Sequence, residues 1–461
     1  VSSLFAILGT MGESMLAQQA GLDVTGQNVA NVNTPGYVEQ TAQLETQAPE
    51  GGVVVGGVTN AFDQFTFAQV VRQSGLSGAA NSRSEALNSA QQALAPQGGG
   101  DIGSAMTAFF SAYSALSASP SDPSARAAVL SQATTLAQSI SGASNGLGQQ
   151  QESLLTQAQG VSTELNQDLS QIAQLNSEIA QSSAEGDQAP GLRDQQNALV
   201  AKVATDVGGQ AVYDSSGSVT ILAAGTALVS AGNASTVAVG IDSTGALKIT
   251  AAQGNGSAMD ITRGVTEGTL GGIREARDTD IASSMSQLDQ FAYSLANAVN
   301  GVQSTGYGLD GATGRPLFTP PTQIAGAAST FAVGAAIAGN PDAIAASSTA
   351  GGLPGGNDAA LAMAQLATQA LGSNGTPASS YATITAHLGG AASQASADAS
   401  TRTDTLTQAQ NLDSSQSGVS LAQENVNLTR FQQAFQASSQ VLQVTDSLLT
   451  NLMTMMTNVG A

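Results

Sequence analysis

The chain has no cysteine and no tryptophan, a single histidine, and only twelve Lys and Arg residues among 461. Each scarcity removes a class of function. Without Cys there are no disulfides, no thiolate metal sites and no Cys nucleophile. One imidazole, His387 in Ile384-Thr385-Ala386-His387-Leu388, supplies neither a metal cage nor a catalytic triad, and reads as a surface or capping side chain. The formal net charge is −21 and no Lys or Arg precedes Arg72. A nucleic acid would be repelled, because affinity for it rests on basic side chains that neutralise phosphates. Charged residues make up 10% of the chain, against roughly 25% in an ordinary soluble protein. No apolar run approaches the ~18 residues of a membrane span, so no membrane insertion is expected. The first residues also lack the basic stretch and apolar core of a Sec signal peptide.

Catalytic motifs are missing too. The Gly clusters lack the Gly-Lys-Ser/Thr ending of a phosphate loop, and none follows a buried strand as a dinucleotide fingerprint would. Asp278 and Asp280 sit two apart, yet no calcium-loop spacing follows; they read as acids at a helix start. The expectation is a chain with no catalytic residues, no cofactor and no metal.

What is present is one heptad stripe at each end. The first reads Leu4, Leu8, Met11, Met15, Gln18, Leu22, Thr25, Val29. The second reads Leu428, Phe431, Phe435, Ser438, Leu442, Thr445, Leu449, Leu452, Met456. Alternating steps of three and four make a seam one stripe wide, which is what a helix needs to pack along another. Gly9, Gly12, Gly21 and Gly26 each cost about 1 kcal/mol in a helix interior, so the first helix has to draw its stability from packing. Taken alone, the C-terminal stripe fits the chain's own core and an identical neighbour equally well. Two terminal seams point to assembly. Asn31-Val32-Asn33-Thr34-Pro35-Gly36-Tyr37 stops the first helix: Thr34 precedes Pro and is pushed to extended backbone, and Pro35-Gly36 suits the centre of a type II turn.

Between the seams the chain nests, giving a mainly α fold with inserted β. Axial core helices are expected from 1–45 and 419–461. A long-helix bundle is expected from 46–204, 263–303 and 357–418, a small β-rich domain from 205–262, and an irregular Gly/Pro-rich insertion from 304–356. Residues 38–75 read as extended. Helical breaks are expected at Gly98-Gly99-Gly100, at Ser119–Pro123 and near Gly142–Gly148, with the longest helix over about 150–184 and another from about Arg193. Four β runs stand at Gln210–Tyr213, Ser218–Ala223, Thr236–Ile241 and Ala246–Thr250. Asp214-Ser215-Ser216-Gly217 and Asp242-Ser243-Thr244-Gly245 serve as hairpin loops. Helix returns over about 274–303 and again from Ala391 to Gln416. No internal repeat of fixed period is present.

Asn28-Val29-Ala30-Asn31-Val32-Asn33-Thr34-Pro35-Gly36-Tyr37, after Gly21-Leu22-Asp23-Val24-Thr25-Gly26-Gln27, resembles the start of the flagellar axial proteins of rod, hook and hook-associated type. Three further segments are similar to the FlgK family in particular: Gly191-Leu192-Arg193-Asp194-Gln195-Gln196-Asn197-Ala198-Leu199-Val200; Gly268-Thr269-Leu270-Gly271-Gly272-Ile273 with Arg277-Asp278; and Gly418 through Asn427-Leu428-Thr429-Arg430-Phe431-Gln432-Gln433-Ala434-Phe435-Gln436-Ala437-Ser438. The anchors lie at both ends and in the middle, and thin out over 304–410. Gln196 and Asn197 stand where Arg and Asp are usual, and Thr59-Asn60-Ala61 where an Arg is frequent, so contacts of those charges are not carried over.

The resemblance implies a structural adaptor at the junction of hook and filament, extracellular and built by self-assembly into a ring or helix. It implies export by the flagellar type III system without a cleaved signal peptide. The implied partners are further copies of the chain, hook protein, the second junction protein FlgL, and an export chaperone at the C-terminal helix. A hook or rod protein is the alternative within structural proteins, and a secreted enzyme or adhesin with activity in the insertions is the alternative outside them.

Overall fold

The computed structural model describes residues 2–34, 36–47, 51–94, 101–254, 256–372 and 375–459. The expected break at Gly98–Gly100 lies outside them, as does Pro35. Helix α1 (Ser2–Asn31) is followed by the antiparallel hairpin β1 (Gln40–Gln47) and β2 (Gly52–Asn60). A domain boundary at residue 45 therefore falls inside β1, whose ladder to β2 keeps the two strands together. The expectation of extended chain to residue 75 fails at Gln64, where α2 (Gln64–Leu94) begins. Asp63 starts that helix by accepting from the N–H groups of Phe65 and Thr66 at 2.8 and 3.1 Å, a satisfied N-terminus outweighing the β-type composition.

Helices α3 (Ile102–Ala118) and α4 (Pro123–Ala184) flank the break expected at Ser119–Pro123. Asp122 accepts from Ser124 N at 2.8 Å and Pro123 opens the first turn, a preferred helix start. The α4 helix runs 62 residues without stopping near Gly142–Gly148. A continuous row of fully buried side chains (Val129, Leu136, Ile140, Leu147, Leu154, Leu165, Leu169, Ile172 and Ile179) packs it along its length, and that packing overrides the weak local propensity. Helix α5 (Pro190–Val207) then leads into a six-stranded antiparallel sheet: β3 (Gln210–Tyr213), β4 (Val219–Ala223), β5 (Thr226–Ser230), β6 (Asn233–Ile241), β7 (Leu247–Gln253) and β8 (Met259–Asp260), neighbours in chain order throughout. The sequence reading missed β5 and β8. The Asp214 and Asp242 carboxylates each organise their expected hairpin loop by accepting backbone N–H groups two and four residues on.

The sheet is riveted to α4 by two asparagines that stand in for a missing strand. Asn166 donates to Val237 O at 2.8 Å and accepts from Val237 N at 2.7 Å. Asn176 does the same with Val219, at 2.8 Å each way, and reaches Ala231 O at 2.7 Å. Gln196 donates to Asn176 Oδ1 at 2.8 Å, and Asn197 accepts from the Tyr213 hydroxyl at 2.6 Å. Gln196 and Asn197 thus serve the joint between helices and sheet.

The return to helix begins at α6 (Gly268–Glu275), six residues before the expected start, and continues through a π-type turn at Ala276–Ile281 into α7 (Ala282–Thr305). Asp278 and Asp280 are not helix-start acids: they lie in this turn inside a continuous helix. Asp280 takes two parallel hydrogen bonds from Arg83, at 2.8 and 3.0 Å, and Asp278 pairs with Arg277 and accepts from Leu247 N. Residues 306–357 then form irregular chain whose described regular pieces are two 3₁₀ turns and isolated bridges. They are held by polar side chains of the helices. Arg126, fully buried, donates to Pro120 O and Ile344 O; Asn300 exchanges two hydrogen bonds with Phe318; Asp289 accepts from Gly326 N and Ala328 N. After α8 (Asp358–Gln365), helix α9 (Pro377–Ser417) starts well before Ala391, because Thr376 caps it and Pro377 opens it. Gly418 interrupts, and α10 (Leu421–Val459) returns along α1.

Candidate assembly interface

Helices α1 and α10 form an antiparallel pair, with Asn28 against Glu424 at one level and Gly21 against Phe431 further along. On α10 the expected seam faces the partner: Leu428, Phe431, Phe435, Leu442 and Leu449 are half-buried and Thr445 is buried. The seam runs out toward the end, where Leu452 is exposed and Met456 is 64% exposed.

On α1 the contact stripe is not the expected one. The buried positions are Ala17, Gly21, Val24, Thr25 and Asn28, a row largely one residue offset from the expected stripe. Leu4, Leu8, Met11, Met15 and Leu22 are half-buried at its flank, and Val29 is 41% exposed. Small residues take the centre because α10 brings a phenyl ring there. A Cβ on Gly21 would lie 2.6 Å from the Phe431 ring, where a larger residue has no room. The pair leaves further apolar side chains bare. Phe5 and Leu16 are 57% and 67% exposed on α1, and Val441, Val444, Leu448 and Met455 form a second stripe on α10. The sequence signal for that stripe was available in its spacing of three, four and seven.

The turn motif builds the joint between this pair and the rest of the molecule. Asn28, 1% exposed, uses both ends of its amide. Its Nδ2 donates to Gln40 O at 2.8 Å and Glu424 Oε1 at 2.9 Å, and its Oδ1 accepts from Gln40 N at 3.0 Å and the Tyr37 hydroxyl at 2.9 Å. One side chain thereby binds the chain that leaves α1 and the helix that comes back. Asn31 accepts from the Thr34 hydroxyl, Tyr37 N donates to Thr34 O at 3.2 Å, and Gly36 has φ +80°, as the third residue of a type II turn requires. Asn33 is exposed and contributes no described side-chain bond. The other crossings meet here: Glu39 N donates to Ser417 O at 2.8 Å, Ala61 N to Glu39 O at 2.8 Å, and Asp63 N to Ser417 Oγ at 3.3 Å. Glu39, Gln40 and Ser417 lie outside the quoted motifs, and nothing in the segments that hold Asp194 and Glu424 marked those two as members of a joint.

Charge at the joint is of one sign. Burial pushes the Asp194 carboxyl up to about 6, against hydrogen bonds from Asn60 and the Val38 N–H. Burial and the neighbouring Glu424 also raise Glu39. Burial, then Asp194 and Glu424, push the Tyr37 phenol up to about 12, so it remains a hydrogen-bond donor at any ordinary pH. Among the described residues no group of acids and His has the geometry of a metal site, and no helix is long and apolar enough to cross a membrane.

The family described as "Flagellar hook-associated protein FlgK helical domain" matches residues 87–318, half of the chain. The chain belongs to the FlgK family. Its two ends match broader axial families: "Flagella basal body rod protein" over residues 10–37 and "Flagellar basal body rod FlgEFG protein C-terminal" over residues 412–455. Flagellar hook-associated protein 1 of Bacillus subtilis (strain 168) is 27% identical over 500 residues, covering 97% of this chain and 98% of that protein. The protein of the same name from Salmonella typhimurium is 26% identical over 317 residues, and this chain spans 57% of its length. The solved flagellar hook junction protein FlgK from Burkholderia pseudomallei superposes with a TM-score of 0.66 at 18% identity, over 76% of this chain and all of that one. The FlgK fold is thereby shared, mainly α with a small antiparallel sheet.

Proposed function

We propose that this chain is a structural component of the bacterial flagellum that joins hook to filament, polymerising through its terminal helices. The family assignment supports a structural, non-enzymatic role, and the relatives' names supply the hook association. The observation that carries the assembly mode is the helix pair itself. It closes one seam within the chain and leaves a second apolar stripe on α10, and Phe5 and Leu16 on α1, uncovered; bare apolar side chains repeated along a helix in this way support an interaction face.

In this reading residues 1–60 and 419–461 are the axial assembly part, the boundary moved from 45 past Asn60 so that the β1–β2 hairpin stays whole. Residues 61–204, 263–303 and 357–418 are the helical body, 205–262 the β-rich outer domain and 304–356 the irregular insertion. The neighbours are further copies, hook protein on one side and FlgL on the other. The chain is exported by the flagellar type III system, with a chaperone on the C-terminal helix before export, and acts outside the cell.

Deletion of the gene tests the role by electron microscopy of the cells with an assay of the medium for filament protein. Hooks without filaments, and filament protein shed to the medium, are expected. Missing hooks would make the chain a rod or hook component, and normal filaments would remove the junction role. Deleting residues 419–461 is expected to abolish incorporation while the body still folds; normal incorporation would sink the terminal-helix mode.

A further inference from the structure

Three polypeptide crossings link the α1–α10 pair to the body, and all pass through one small region. The chain leaves α1 through residues 37–40, enters α2 through 60–63, and returns from α9 to α10 through 417–421. Into this region point carboxylates from three separate parts: Glu39 on the first crossing, Asp194 on α5 and Glu424 on α10. Glu424 is 1% exposed; its Oε1 is held by Asn28, but its Oε2 has no partner among the described residues. Glu39 and Tyr37 both lie within reach of the Glu424 charge, and Tyr37 within reach of Asp194.

No cation answers them. The described salt bridges leave out Glu39, Asp194 and Glu424. On α5 the nearest base in sequence, Arg193, turns one terminal nitrogen to Gln188 Oε1 and Ser216 O, has no described bond to Asp194 and leaves its Nε without a described partner, and on α10 Arg430 lies over the Phe431 ring. On the body side α9 and the start of α2 add two more acids, Asp413, which accepts from the Thr66 hydroxyl, and Asp63. From α1 the facing group is neutral Asn28.

Like charges brought into a partly dry site repel, and a buried carboxylate without its full set of donors is costly. A proton on Glu39 or Asp194 removes one charge and adds one donor. We propose that this crossing is a proton-sensitive hinge: with Glu39 and Asp194 ionised beside the buried, half-partnered Glu424, the terminal helix pair is held loosely to the body, and with protons on those two it is clamped. The sign follows from linkage. A carboxyl raised in the folded joint takes up its proton more readily when the joint is closed, so falling pH closes it and rising pH loosens it.

The absence of Cys allows two unique spin labels, at Q19C on α1 and S170C on α4, both exposed positions. Pulsed electron–electron distance measurements on the full chain then report the hinge from about pH 8 to about pH 5. The expected result is a distance distribution that narrows as pH falls, with its midpoint near the Asp194 value of about 6. It should be narrow at both ends of the range in the D194N/E424Q double variant, which keeps the side-chain shapes without the charges. A distribution that ignores pH in the parent chain overturns the proposal, as does a double variant that still responds. D194N alone, at a half-buried position, carries the same prediction in weaker form, with circular dichroism reporting that the helices are intact. If it folds and leaves the midpoint unmoved, the hinge is excluded.

Discussion

The phenyl ring of Phe431 lies directly on Gly21, where a Cβ would come within 2.6 Å of it. This one contact sets which face of α1 meets α10. Replacing Gly21 by Leu gains about 1 kcal/mol of helix propensity but drives the ring out, forfeiting up to about 1.5–3 kcal/mol of burial. A net loosening of the pair is expected, seen as faster amide exchange along α1. Phe431→Ala added to G21L should then cost little more, because the ring has already left; fully additive effects would show that the two residues do not share this contact.

Gly36 holds φ +80° at the end of the turn that follows α1. A Val there is forced into backbone that β-branched residues avoid, at roughly 1–2 kcal/mol. G36V is expected to shift Tyr37 away from Asn28 and lower the thermal stability of the helix pair. Unchanged stability and unchanged assembly would argue against the type II geometry.

Asn176 joins α4, β4 and the β5–β6 turn through three hydrogen bonds to backbone and one from Gln196. In N176A two carbonyls and an N–H lose their partner, and each buried orphan costs about 1–3 kcal/mol before water or rearrangement relieves it. Destabilisation of about 2–4 kcal/mol is expected, concentrated in the sheet. Hydrogen exchange resolved by segment checks this: the sheet should lose protection well before the α9 core.

Asp206, pushed by burial to about 6, sets a pH limit on the body as Asp194 does on the joint. Its folded-state value is raised above its unfolded one, so its unfavourable contribution is absent at low pH and grows as pH rises through about 6. Asp214, Asp310 and Asp358 act oppositely: hydrogen bonds to Ser216, Arg315 and Ser348 hold them below their ordinary value. What they contribute is present above about pH 4 and lost on further acidification. Thermal unfolding followed against pH should therefore peak between about 4 and about 6. D206N should flatten the fall on the alkaline side; a parent chain most stable near pH 8 would contradict the assignment.

Legibility differed between elements for identifiable reasons. The seam of α10 was readable because its side chains alternate at three and four in an otherwise polar helix. Over residues 17–28 the buried row of α1 lies largely one position from the large apolar side chains, because a helix receiving Phe431 buries Ala17 and Gly21. Strands β5 and β8 are short, and their pairing is fixed by neighbours that local sequence does not announce. Helix α4 passed through Gly142, Gly146 and Gly148 because its core row never lapses.

By itself the amino-acid sequence determined that no thiol chemistry is available to this chain, that its ends are helices built to pack, and that a turn separates the first of them from the rest. Those properties are local: composition, periodicity, and a Pro-Gly pair in sequence. Only the tertiary structure decided that Asn28, Tyr37, Glu39, Asp194 and Glu424 share one joint, that Asn166 and Asn176 act as strand neighbours, and that Arg83 belongs to Asp280. Apart from the local Asn28–Tyr37 contact these partners lie tens to hundreds of residues apart, and a buried polar group takes whichever partner the packed chain brings to it.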